Sequence, residues 1–163
     1  MILWFAGFSV VAVWIIFHDP AFDYRLVVFG ALLPDAIDVW FGGARVPHAF
    51  VTSAVVLGVV MLATRHRRTL RRRLLAIPIG MFLHLVLDGM WTDQHVFWWP
   101  FFGTSFRHAA LPSASHPAAV VVVQELAGAV ALWWAWMRFR LNEPDRRSRF
   151  FRAGRLGRDL VTD

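Results

Sequence analysis

The sequence predicts an all-α, polytopic membrane fold, and three observations carry that prediction. Hydrophobic residues make up 58% of the 163-residue chain and charged residues only 17%, against about 25% charged in a typical soluble domain. Mean hydropathy is +0.51. The apolar residues fall into five long segments, and arginines cluster between and after these segments rather than along one face.

Each segment is set against the roughly 20 residues a spanning helix needs. The first, residues 1–17, has neither a basic flank before its apolar run nor a small-residue cleavage site, so it is expected to be a retained helix and not a signal peptide. The second, about 26–41, contains Pro34, which lacks a backbone donor and crowds the preceding turn; a short, kinked or re-entrant helix is expected. The third covers about 49–64 and the fourth about 74–91. The fifth, about 118–137, ends in Trp133, Trp134 and Trp136, an aromatic belt of the kind found at headgroup depth. One helical membrane domain over 1–140 and a basic tail over 141–163 follow.

Every one of the 17 basic residues is arginine. Arginines crowd residues 65–73 and 138–158, whereas the connection 91–117 holds only Arg107. By the positive-inside rule the first two regions are cytoplasmic, the third is external, and the N-terminus is outside. Arginines that flank apolar spans are topogenic signals, so a bilayer is the expected partner and nucleic acid is not. The tail, with Phe150, Phe151 and Leu156 between its arginines, reads as a segment lying on anionic lipid. Cysteine is absent, which excludes disulfides and thiolate ligation and leaves histidine and carboxylate as the strong metal ligands. No glycine-rich phosphate loop or nucleophile elbow is present.

Ionisable groups inside apolar segments mark functional sites. Asp35 and Asp38 are three apart, and His84 and Asp88 four apart, so on a helix each pair projects from one face. In the five-span topology both pairs, together with His48 at the start of the third segment, reach the outer level. This convergence predicts a divalent metal site of Asp35, Asp38, His48, His84 and Asp88. Neutral histidines beside carboxylates match zinc. Glu125 lies within the fifth apolar segment and has two readings, a ligand or general base and a helix-pairing group. Asp38 is a second candidate for the chemistry. His18 falls at the inner end of the first helix. His95 and Asp93 lie just beyond the fourth segment and read as loop residues, as do His108 and His116, and His66 reads as a headgroup contact.

Gly30-Ala31-Leu32-Leu33-Pro34-Asp35 with Asp38, then Pro47-His48, then Phe82-Leu83-His84-Leu85-Val86-Leu87-Asp88 and Phe97-Trp98-Trp99-Pro100-Phe101 resemble the bacterial membrane-bound metal-dependent hydrolases of the YdjM-like type, themselves distantly similar to zinc-dependent phospholipase C. The resemblance covers about residues 1–103. It implies a multi-pass protein of the bacterial inner membrane with a His/Asp metal centre and hydrolytic activity on an ester or phosphoester, lipid-derived substrates included. Members commonly carry a histidine near the N-terminus, where this chain has Trp4-Phe5-Ala6. The alternative is a non-catalytic membrane protein, a scaffold or small transporter, with the same groups forming a charge-paired polar core.

Overall fold

A computed structural model describes residues 1–41, 45–104 and 116–161. Regular structure among the described residues is entirely helical. Helix α1 is Ile2–Phe17, α2 is Tyr24–Asp38, α3 is Phe50–Ala63, α4 is Arg68–Leu74, α5 is Ala76–Leu87, α6 is Gln94–Phe97, α7 is Ala118–Arg138 and α8 is Pro144–Ala153. Short 3-10 turns at Val39–Phe41 and Val46–His48 lead from α2 to α3, and another, Met90–Thr92, follows α5.

All five apolar segments form helices. α7 has 21 residues and is the one described helix long and apolar enough to cross a membrane; α1 and α3 are shorter apolar helices. At 1.5 Å per residue the 16 residues of α1 span about 24 Å and the 12 of α5 about 18 Å. α2 runs through Pro34 as one helix of 15 residues. Proline sits in its last turns, where only one intrahelical bond is forfeited.

α2 packs on α5 and α1 on α7, and glycines set both seams. A Cβ on Gly80 would overlap the Val27 carbonyl, and one on Gly30 would overlap the Ile77 carbonyl. Gly7 and Gly128 play the corresponding role between α1 and α7. Small residues that bring backbones into contact are the usual basis of helix association in lipid.

The arginine-bearing end of the bundle holds the main core. Val13 and Trp14 of α1, Tyr24 and Val27 of α2, and Ala135 of α7 pack with Phe139, Leu141, Leu156 and Leu160. Three residues of the basic tail, Leu141, Leu156 and Leu160, are thus buried in the same core as the helices of the apolar segments. Polar anchors hold this docking. The Tyr24 amide donates to the Gly154 carbonyl at 3.1 Å and the Leu156 amide to the Pro20 carbonyl at 2.8 Å. Buried Asp23 accepts from Arg25 at 3.1 Å and from Arg73 at 2.8 Å. Burial alone would raise the Asp23 carboxyl, but the two guanidinium groups outweigh it and hold its pKa below the usual value.

α3 and α7 are sparsely covered. Ser53 is the one buried side chain of α3, while Leu62, Val130 and Trp133 are about two-thirds exposed or more, at 72%, 69% and 68%.

Candidate metal centre

The end opposite the arginine cluster gathers the end of α2, the turn before α3 and the end of α5. His48 and His84 are fully buried, as is Asp38, and Asp35 is half-buried. His48 Nε2 lies 3.2 Å from His84 Nε2 and 3.3 Å from Asp35 Oδ1; the third edge, His84 Nε2 to Asp35 Oδ1, is 3.6 Å. These three residues can hold a metal ion.

Both imidazoles have their other nitrogen engaged. His84 Nδ1 lies 2.7 Å from the Ala31 carbonyl oxygen. A carbonyl only accepts, so Nδ1 carries the proton and neutral His84 presents a lone pair at Nε2. His48 Nδ1 lies 2.7 Å from Asp38 Oδ2, which also accepts the Arg45 backbone N–H at 2.7 Å. A carboxylate fixing one imidazole nitrogen while the other faces inward is the arrangement that orients metal-bound histidines. Two nitrogens and Asp35 Oδ1 therefore converge on one point, and Asp35 Oδ1 is buried with no hydrogen-bond partner among the described residues.

Such convergence suits a cation. Burial pushes the His48 imidazole down, but the Asp35 carboxylate 3.3 Å from Nε2 and the Asp38 carboxylate 2.7 Å from Nδ1 overcome this and raise it to about 9. In the absence of metal a proton on His48 thus fills the role. A tetrahedral zinc with ligand bonds of 2.0–2.1 Å has ligand-to-ligand edges of about 3.3–3.4 Å, and the three edges here, 3.2, 3.3 and 3.6 Å, bracket that value.

The other expected site residues take different places. Asp38 is on the far side of His48 and positions it. Asp88 is buried, with Oδ2 3.9 Å from His48 Nε2, too long for a tetrahedral edge, and neither of its oxygens has a hydrogen-bond partner among the described residues. Glu125 is engaged by the first turn of α1, accepting the Leu3 N–H at 3.1 Å and lying 3.5 Å from the Met1 amino group. Helix starts leave backbone donors unsatisfied, and Glu125 serves them. His18 caps the far end of α1, its ring 5.6 Å from that of Trp14. Asp93 caps α6 by accepting from the His95 and Val96 amides, and His95 Nδ1 pairs with the Phe102 carbonyl at 3.2 Å. His66 is exposed, and His108 lies outside the described residues.

Four contributors escaped the sequence reading. The Ala31 carbonyl and Arg45 amide are backbone groups without any sequence signal. Phe5, recognisable from sequence only as a side chain unable to ligate, lies tilted against His84 with ring centroids 4.1 Å apart and closes the α1 side of the site. His116, expected as a surface residue, interacts electrostatically with Asp88. Comparison with protein-family models, with curated proteins and with solved structures found no match.

Proposed function

We propose that this chain is a polytopic membrane protein that binds zinc through Asp35, His48 and His84 and hydrolyses an ester or phosphoester. The observation that carries this reading is the triangle of two fixed imidazole lone pairs and one carboxylate oxygen at tetrahedral spacing. Three protein ligands with one open position are the pattern of catalytic rather than structural zinc. A bound divalent cation would supply an acidified water, whose pKa it can bring to about 7. Asp38 and the Ala31 carbonyl hold the histidines in the ligating tautomer, and Asp88, buried beside the triangle with no hydrogen-bond partner among the described residues, would be the carboxylate available to hold a proton there.

Membrane embedding is supported by the large apolar side chains that α3 and α7 leave exposed, Leu62, Val130 and Trp133 among them, and by the glycine seams. Arginines of α4 and α8 gather at the end opposite the triad, so the positive-inside rule puts the site near the outer face and the C-terminus in the cytoplasm, here of a bacterial inner membrane. The order of motifs supports a place beside the YdjM-like membrane-bound hydrolases, with Phe5 against His84 as this chain's departure.

The polar-core reading keeps one specific support: a protonated His48 lies between the Asp35 and Asp38 carboxylates and offsets part of their charge without any metal. Elemental analysis of the detergent-purified protein separates the two. About one zinc per chain, lost in His84→Ala, is expected. A wild type that stays metal-free after repletion with zinc and manganese sinks the hydrolase reading and leaves the polar core.

A further inference from the structure

An open groove of about 340 Å3 runs along α5 between α3 and the end of α1, lined by Phe17, Phe50, Ser53, Leu57, Phe82 and Leu83 among others. That volume is in the small-ligand class of roughly 300–1,000 Å3. Its walls are apolar with one exception. Ser53 is only 4% exposed, lines the groove, and its hydroxyl has no hydrogen-bond partner among the described residues. At the end of the same helix, by contrast, Thr64 returns its hydroxyl to the Val60 carbonyl at 2.5 Å. A buried serine that leaves its hydroxyl unpaired costs free energy unless something else accepts from it.

We propose that this groove holds one acyl chain of an ester-linked membrane lipid, with the Ser53 hydroxyl donating to the ester carbonyl and the headgroup lying at the metal triad. The proposal rests on the metal-site reading and names its substrate class. Depth registers support it. Phe50 is two residues beyond His48 and packs against Phe97 and Trp98 with ring centroids 5.8 Å apart, an aromatic cluster of the type that marks the level of the headgroups. Ser53 is one turn deeper, where the ester region of a lipid in the same leaflet lies, and from Phe50 to Leu57 the wall of α3 continues for about 10 Å further into the bundle. The chemistry of the occupant follows from the walls: an apolar chain along most of the length, and one acceptor near its upper end.

The test uses the full chain in phospholipid vesicles containing a trace of phosphatidylcholine with a photoactivatable diazirine in one acyl chain, followed by peptide mapping of the label. Label concentrated on the peptides around Ser53–Leu57 and Pro78–Leu83, above that on the exposed face of α7, is expected. Ala54→Phe, which fills the groove, should lose that excess while retaining zinc. Should Ala54→Phe fail to fold, Ser53→Ala carries the test: wild type should label more strongly with the ester-linked than with the ether-linked probe, and the variant should lose the difference. Label spread evenly over α3 and α7, equal labelling by both probes in wild type, or cross-links to a second copy of the chain in the groove would overturn the proposal. Groove labelling in a wild type that binds no metal would overturn the link to the triad and the metal reading together, whereas even labelling in a zinc-loaded wild type would overturn the groove alone.

Discussion

Gly80→Ala tests whether the seam between α2 and α5 sets the metal site. An alanine Cβ at this position would overlap the Val27 carbonyl oxygen and stand 2.8 Å from the Ala31 amide nitrogen, where ordinary contact begins at 3.4 Å. Both partners are rigid helix backbone, so α5 must move away from α2 by roughly half an ångström or more. Overpacking of this kind costs about 1–3 kcal/mol of stability. The same shift acts on the site, because α5 carries His84 while α2 carries both Asp35 and the Ala31 carbonyl that holds the His84 ring at 2.7 Å. Metal ligation tolerates about 0.2 Å, so zinc affinity should fall by ~10–100-fold, the range typical of lost supporting contacts. Chelator competition on the detergent-purified protein reads the affinity, and thermal unfolding reads the stability. Two other glycines provide controls. A Cβ on Gly58 would meet nothing within 4 Å, so Gly58→Ala should lower neither quantity. Gly7→Ala meets Ala131 Cβ at 3.1 Å on the other seam and should lower stability while sparing zinc. Wild-type zinc affinity in Gly80→Ala, or equal zinc loss in Gly7→Ala, would refute the coupling of seam to site.

Two further outcomes follow from the groups around His48. Asp38→Asn removes the charge that orients His48 but none of the three ligand atoms, so zinc affinity should drop by ~10-fold or more while His84→Ala abolishes binding; complete loss in both variants would make Asp38 a ligand. Metal must displace the proton on His48, whose pKa is raised from 6.5 to about 9, so apparent zinc affinity should rise by up to about tenfold per pH unit between those values and level off above about 9. The stability sign is opposite in the metal-free protein: the raised pKa contributes stability that is fully present below pH 6.5 and lost as pH rises through about 9. Unfolding temperatures of the metal-free protein that do not fall across that range would show that His48 holds no proton there.

What was legible in the sequence was whatever depends on helical period. The five apolar segments became helices, and the three-residue spacing of Asp35 and Asp38 does place both on one face. What spacing could not show is that a histidine from another element lies between them. Asp35 meets His48 at Nε2 and Asp38 meets it at Nδ1, so two equivalent-looking carboxylates divide into a candidate ligand and a residue that positions the imidazole. Glu125 illustrates the same gap. An acid within an apolar segment signals a partner but not its identity, and the partner is the first turn of α1, visible only once α1 and α7 are packed. The tail was misleading for a different reason: its arginines dominate the pattern, yet Leu156 and Leu160 are buried in a segment that Arg25 holds through the Phe151 carbonyl, Tyr24 through the Gly154 carbonyl and Pro20 through the Leu156 amide.

The glycines went unremarked in the sequence and explain how short helices can support a precise site. Gly30 is next to Ala31, and Gly80 is one turn before His84. The closest approach of α2 and α5 therefore falls immediately beneath the triad. Backbone contact at that point leaves no rotamer freedom between the helices, so the Ala31 carbonyl can act as a fixed second support for His84. A bulkier seam would place the same ligands on a looser frame. On the membrane reading proposed above, where apolar side chains gain little by leaving one hydrocarbon for another, close backbone packing is the main source of such rigidity. Seam and site are then one device: the residues that let α2 and α5 come together are also those that bring His84 Nε2 within 3.6 Å of Asp35.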